Sequence, residues 1–569
     1  MKFRYNLIIF IITIPLIFAN VNSQVLETNS LPTQRDYEPV ELKFNPANFD
    51  SLYLSGIPTS QLFLYAYYSG QGWEPIPFQI DEKDPFKPSN DVIDTTDVLI
   101  FLTKDLGDKV DEKTWIGNPE SQSNQRYEIE IVDLRDRSKK GWGYLFISPT
   151  LTEQDKSPGY LSIDTDNDII TSEFYQLNYG GKWYPENILV TTEGKGNNQD
   201  FYDRTKVRFI MLLAGGNWTE LTEDELIIEA DSTIQYTPNP IVRLKRKIPL
   251  EVYFFGQPSG RKVKFSMTYY PYSTVFSGDI SLEDFMGLAR VKYVRMSYDL
   301  NSSAMNMKFF SGDSNGIKNQ NILIDGSGAL DNADTSMAKN KKNWTMVSGT
   351  PGTMLTINNV SYKSNPPVVP PEPHAQYLYY WDDKSGSVLD GSEYPSGFGL
   401  NLDTGDSSSY GDHGMFFESY ALTDSLHYIS TTYLLGKDQT GETAQNMFEN
   451  FNAPMLRYIR EQKYSTGVNL VDYNRLPTKY RLRPNFPNPF NPTTNITFDL
   501  PQDDNVNLKI YDIQGRHIIT LVNKKLNAGV HNFTWDGRDK NGQLISSGIY
   551  ICTIKTDLFN ASQKMIFVK

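Results

Sequence analysis

The sequence predicts an all-β chain, a large β-sandwich-type body followed by a small β-sandwich at the C-terminal end. Two observations carry this. Apolar and aromatic runs such as Leu62–Tyr68 stop abruptly at turn-forming residues, here Ser69-Gly70-Gln71-Gly72. Stretches such as Tyr127–Val132 alternate with the period of two that marks a half-buried strand.

The 569 residues exceed what one hydrophobic core supports, so the body and the smaller module each need their own. Hydrophobic residues make up 39% and aromatics 13%, enough to pack such cores. A formal net charge of -14, without a Lys or Arg run, speaks against nucleic acid as a partner. The single cysteine, Cys552, rules out a disulfide scaffold within the chain.

Residues 1–23 read as a signal peptide. Lys2 and Arg4 precede the apolar stretch Leu7–Ala19, and Val21-Asn22-Ser23 offers small residues for cleavage before Gln24. That stretch, interrupted by Pro15, is too short to span ~30 Å of hydrocarbon comfortably, and no later segment is long and apolar enough to be a transmembrane segment of the mature chain. No cysteine stands at the cleavage point that follows it, so a lipid anchor at the mature N-terminus is not expected.

A β-rich region is expected over 24–150, with Tyr127–Val132 and Tyr144–Ile147 as a hairpin about Lys139-Lys140-Gly141. The main sandwich is expected over 151–470, with strands at Val207–Leu213, Ile241–Lys245, Leu250–Phe255 and Lys262–Tyr269. The proline-rich segment Ser364–Pro373 lacks the amide donors a sheet interior needs and should run extended across the surface. One helical segment is expected near 443–462: Thr443–Asn452, with Met447, Phe448 and Phe451 on one face, restarted by Pro454 and running to Gln462. A linker over 471–484 leads to the C-terminal module, 485–569.

In that module Pro487-Asn488-Pro489-Phe490-Asn491-Pro492 forms a rigid entry to a strand carrying Ile496, Phe498 and Leu500. Val506–Tyr511, a turn at Ile513–Arg516 and Ile518–Val522 make a meander, and Lys540-Asn541-Gly542 supplies a hairpin turn. Tyr550, Cys552 and Ile554 share one strand face, which makes Cys552 a small core hydrophobe. The Pro487–Pro492 entry, Gly548-Ile549-Tyr550 and the terminal run from Lys564 to Lys569 resemble the type A sorting domain of type IX secretion cargo, a small immunoglobulin-like sandwich. Trp535–Gly542 with Ser547–Tyr550 is also similar to the immunoglobulin-like domain of flagellar hook-capping proteins. The resemblance covers the last ~85 residues. It implies export by the general secretion machinery, passage through a type IX outer-membrane translocon, and an extracellular or outer-surface location reached through the periplasm.

The body offers weaker signals. Gly312-Asp313-Ser314-Asn315-Gly316 fits the Gly-x-Ser-x-Gly formula of a nucleophile elbow, but the polar Ile317–Asn321 cannot form the helix that the elbow needs, so a surface turn is expected. Asp164, Asp166 and Asp168 alternate in a way that can wrap calcium in oxygen ligands, although Ile169 and Tyr175 stand where an EF-hand has glycine and glutamate. A solvated acidic turn is the simpler reading. Asp81, Glu82, Asp84, Asp97, Asp105 and Asp108 can gather at one sheet edge, either to bind calcium or to keep the edge soluble. His374, His413 and His427 have no zinc spacing. Tyr377–Asp383 offers aromatic faces for stacking on sugars, against the alternative that these rings fill the core. The leading functional expectation is an exported protein whose body binds a glycan or surface partner. A polysaccharide lyase or glycoside hydrolase is the alternative, with no catalytic residue assignable.

Overall fold

The structure, a computed structural model, describes residues 25–568 except 37, 45–51, 53, 83, 85, 87–89, 214–217, 222–225, 229–233, 255–256, 282–288, 326–341, 364–375, 382–410, 419–424, 465–479, 484, 486–487 and 527–528. The signal-peptide segment, the proline-rich segment and His374 lie outside the described residues. The protein is all-β, with strands throughout, and divides into two compact units, residues 1–465 and 466–569.

In the first unit, a five-stranded antiparallel sheet runs in the order Leu456–Lys463, Gln125–Val132, Lys140–Ile147, Leu62–Tyr68, Gly72–Pro75. One face packs on a three-stranded sheet, Pro39–Lys43, Val98–Leu102 and Phe78–Asp81, through Leu62, Leu64, Ile129, Leu145, Val40 and Phe101. The opposite face buries Phe63, Tyr65, Trp142, Tyr144 and Phe146. Burial on both faces is why Leu62–Tyr68 reads as a continuous apolar run rather than an alternating one. The hairpin expected at 127–147 is present, but its turn comes earlier than the glycine implied: Asp133 N donates to Lys139 O, and Lys140 and Gly141 already belong to the strand. Gly141 sits there because a Cβ would meet Leu31, Asn29 and Leu106 at 2.8–3.0 Å.

The body pairs a ten-stranded antiparallel sheet, including Leu244–Phe254, Gln257–Tyr270, Ser273–Ser281, Ser425–Leu435 and Gly352–Lys363, with a five-stranded sheet centred on Tyr202–Leu213, Ala289–Leu300 and Gly411–Glu418. A four-stranded meander, from Leu161–Asp164 to Asn187–Val190, joins the same core. Leu177, Phe209, Met296, Met415, Leu250 and Met354 meet there. Of the expected strands, Ile241–Lys245 starts late, at Leu244, because the amides of Ile241, Val242 and Arg243 all donate to Gln79 Oε1, at 2.9, 3.1 and 3.0 Å.

The helix Gly441–Asn452 begins where Thr440 accepts a hydrogen bond from Thr443 N and buries Ala444, Met447 and Phe448 against Phe310, Trp344 and Leu355. The expected continuation from Pro454 to Gln462 is not helical. Leu456–Lys463 is an edge strand paired with Gln125–Val132, Ile459 opposite Ile129 and Gln462 opposite Arg126. Proline ends the helix, and the open edge of a sheet formed over 300 residues earlier captures the segment beyond it.

The second unit is a two-sheet sandwich: Arg481–Leu482, Thr494–Leu500 and Gly529–Trp535 in one sheet, His517–Leu526, Asp504–Asp512, Gly548–Lys555 and Asn560–Phe567 in the other. Ile496, Phe498, Leu508, Ile510, Trp535, Cys552 and Phe567 fill the space between. Cys552 is fully buried, and burial pushes its thiol up to about 12, which removes it from thiolate chemistry.

Candidate functional site

The entry to the C-terminal sandwich is a short strap fastened to its last strand. Phe490 N donates to Ile566 O at 2.9 Å, Val568 N donates back to Phe490 O at 3.0 Å, and Asn488 bridges with Oδ1 taking Ile566 N at 2.8 Å and Nδ2 reaching Lys564 O at 3.2 Å. Phe490 drives its ring between Trp535 and Phe567, while Asn488, Pro489, Asn491 and Pro492 stay exposed. Gly537, at φ +71°, lets the chain pass Pro492 O, which a Cβ would meet at 2.9 Å. Gly548 pairs with Phe567, next to the strap's partner Ile566, and Tyr550 donates its hydroxyl to Ser546 O at 2.8 Å. Pro487 and Lys569 lie outside the described residues.

In the body, Asp164, Asp166 and Asp168 do not converge. Asp164 accepts the amides of Asp166 and Asn167 at 3.1 Å and stays exposed in a turn. Asp168, at φ +53°, turns inward to the Arg246 guanidinium at 2.7 Å and accepts the Tyr236 hydroxyl. The second acidic set also divides. Asp81 is held by Arg243 and by Gln79 Nε2. Asp105 takes Lys104 and the Tyr160 hydroxyl, and Asp108 caps the amides of Asn29 and Ser69. Glu82 and Asp97 do come together, and Asp94 joins them: one carboxylate oxygen from each lies within 4.8 Å of the others. The sequence held this signal in the flanks of Phe78–Asp81 and Val98–Leu102, whose pairing sets Asp81 opposite Val98 and so aligns Glu82 with Asp97. Burial, with the charges of Glu82 and Asp94, raises the Asp97 carboxyl to about 6.

Gly312–Gly316 is a hairpin turn between Lys308–Asp313 and Gly316–Leu323, with strand where an elbow has helix. His413 is buried, contacts Thr345 Oγ1 through Nδ1 at 3.2 Å, and is held down to about 4 by burial, opposed by Asp412. From the opposite strand face, Asp412 approaches Lys206 at 3.4 Å, which also reaches Asp299 at 3.0 Å, in a wholly buried charged layer. Of the segment 377–383, Leu378 and Tyr380 are taken by the core, Tyr380 stacked on Phe309 at 4.2 Å; Asp382 and Asp383 lie outside the described residues. Another aromatic cluster, not foreseen from sequence, is occupied from within: the Arg126 guanidinium sits 4.5 Å from the Trp115 ring and 4.7 Å from Tyr144.

An open cleft of about 680 Å³ lies at the meander edge, lined by Gln176, Asn178, Asn187, Gln199, Asp200 and Asn301, among others. Its one carboxylate, Asp200, accepts from Asn187 Nδ2 at 2.9 Å, Ile188 N at 2.9 Å and Asn301 Nδ2 at 3.1 Å. Amide side chains both donate and accept, which matches sugar hydroxyls, and the volume admits a short oligosaccharide. Sequence reasoning passed over these residues because asparagine and glutamine read locally as turn and loop formers.

Residues 487–558 match the family model for the FlgD Ig-like domain. The class of the C-terminal sandwich is thereby defined, for that segment of the chain. Comparison with curated proteins finds no match. Among solved structures, an alpha-mannosidase from Enterococcus faecalis V583 is similar at 9% identity and TM-score 0.35, over 90% of this chain and 55% of that one. A polysaccharide lyase is similar at 7% identity and TM-score 0.16, over 68% and 44%. PorZ, a surface component of the type IX secretion system of Porphyromonas gingivalis, is similar at 10% identity and TM-score 0.12, over 78% and 79%. The chain thus spans about half the length of the first two, and likeness this slight assigns no activity.

Proposed function

We propose that this is an exported protein, delivered to the outer surface or the medium by its C-terminal module acting as a type IX sorting domain, with a body that binds a neutral polysaccharide. The sorting role is supported by one observation: the strap at Asn488–Pro492, exposed apart from Phe490, is stitched to the last strand of a compact terminal unit, so entry and end lie side by side for a translocon to read. The general secretion machinery, acting on residues 1–23, would bring the chain to the periplasm. Deleting 485–569 is expected to leave the body in the periplasm; its normal appearance in the medium would refute the sorting role.

The binding role rests on the amide-lined cleft. Several amides around Asp200 suit retention of sugar hydroxyls, whereas glycoside hydrolysis through two carboxylates needs a second acid, and among the described residues no other acid lines this cleft. The purified mature chain is expected to be retained by a polysaccharide from a panel without generating new chain ends. Gln176→Ala with Asn178→Ala should weaken retention roughly tenfold, at about 0.5–1.5 kcal/mol per hydrogen bond lost. Unchanged retention would remove the cleft from the proposal, and new chain ends would convert it to an enzyme.

A further inference from the structure

The loop that leaves one strand of the N-terminal three-stranded sheet and returns on its neighbour gathers three carboxylates at one point. Glu82 directly follows Phe78–Asp81, Asp97 directly precedes Val98–Leu102, and Asp94 lies three residues before Asp97. An oxygen of each falls within 4.8 Å of the other two. Clustered acids alone are common on protein surfaces. Asp97 is different: its side chain is 0% exposed, its Oδ2 accepts Asp94 N at 2.8 Å, and its Oδ1 is buried and accepts no hydrogen bond.

A buried carboxylate oxygen left without a donor costs several kcal/mol unless some group outside the described side chains satisfies it. Among the described residues neither Asp94 nor Asp97 makes an ion pair. The neighbouring charges that act on Asp97 are themselves acidic, Glu82 and Asp94. A bound cation would satisfy Oδ1 and offset the repulsion among the three carboxylates.

The remaining oxygens are already oriented. Asp94 Oδ1 is fixed by Thr96 N and Thr96 Oγ1, both at 2.6 Å. Glu82 Oε1 is steadied by Asn90 N at 3.2 Å. Glu82 also lines an open cleft of about 520 Å³ with Asp81, Asp91, Glu153 and Lys156, which gives solvent access to the cluster.

We propose that Glu82, Asp94 and Asp97 form a calcium site that fastens this loop to the sheet end. Ca²⁺ accepts an irregular shell of carboxylate and water oxygens at ~2.4 Å, whereas Mg²⁺ demands a near-ideal octahedron at ~2.1 Å and gives up its waters reluctantly. Three carboxylates supply three to six oxygens, and water entering from the cleft completes the shell. The proposal is independent of both the sorting and the polysaccharide readings.

The test is calorimetric titration of the metal-stripped mature chain with calcium chloride, with magnesium chloride as comparison, alongside thermal unfolding in calcium and in chelator. One calcium site is expected, with magnesium binding weaker, and saturating calcium should raise the unfolding midpoint of the first unit by roughly 3 °C. Glu82→Gln and Asp94→Asn should each weaken calcium binding about tenfold or more. Asp97→Asn should abolish it, and if that variant does not fold, the Glu82 and Asp94 variants carry the test. No calcium binding, or binding unchanged in both variants, overturns the site. Binding lost instead in Asp164→Asn places the ion at the other acidic turn and likewise overturns it.

Discussion

The C-terminal sandwich and the N-terminal five-stranded sheet are both antiparallel β-structure, yet they are assembled on different length scales. In the sandwich, successive strands pair across short turns, as Asp504–Asp512 does with His517–Leu526 and Gly548–Lys555 with Asn560–Phe567. In the N-terminal sheet the edge position beside Gln125–Val132 is filled by Leu456–Lys463, from the far end of the unit. Arg35 extends this closure: its guanidinium reaches Asp133 at 2.6 Å and the carbonyl oxygens of Asn450 and Ala453 at 3.0 Å, tying the N-terminal segment to the end of the helix. The first unit thus carries clamps that join residues 415 apart in sequence, as from Arg35 to Asn450, whereas the second closes one core with links such as that from Asn488 to Ile566, 78 apart.

Breaking a clamp is the most severe way to test this. Arg35 is fully buried, so Arg35→Ala strands the Asp133 carboxylate and two carbonyls, and is expected to cost the first unit about 3–5 kcal/mol. Denaturant titration should show that transition shifting while the one belonging to residues 466–569 keeps its midpoint; a shift of both would erase the distinction. The converse change is Phe490→Ala. It empties the strap's anchor, buried to 1%, and should cost about 3–4 kcal/mol in the second unit only.

A pH titration sharpens the comparison, because the body buries a histidine and the C-terminal core does not. His413 falls from 6.5 to about 4 on folding, so at pH values between these the unfolded chain binds a proton that the folded chain refuses. Stability of the first unit is therefore lost as pH drops from 6.5 toward 4, by roughly 3 kcal/mol from this group. His413→Gln should flatten that slope, measured as unfolding free energy against pH. An unchanged slope would show that the histidine is not the titrating group.

The same contrast explains what was legible. The Asn541-Gly542 turn and the inward Cys552 depend on residues close in sequence, and the strands Thr494–Leu500, Asp504–Asp512 and Gly548–Lys555 lie where alternation placed them, whereas Arg481–Leu482 is a strand within the stretch read as linker. In the body the strand Val207–Leu213 was readable, and so was the helix from Thr443, from its apolar face. The strand at 456–463 was not: Leu456 and Ile459 fit a helical face as well as an edge strand, and only the partner decides. Likewise Asp168 looked like one more acid in a polar turn, until its positive φ and Arg246 turned it inward.

Short-range signals sufficed for the β character, the terminal module and the position of the helix, because the period of two, turn chemistry and proline act over a few residues. Long-range folding settled which carboxylates meet, that Gln79 gathers three amides of a distant segment, and that an amide-lined cleft opens beside Asp200. Those outcomes depend on which strand edges pair across hundreds of residues. Local residue preferences carry no information about that choice, since any edge with matching register and a buried face can serve.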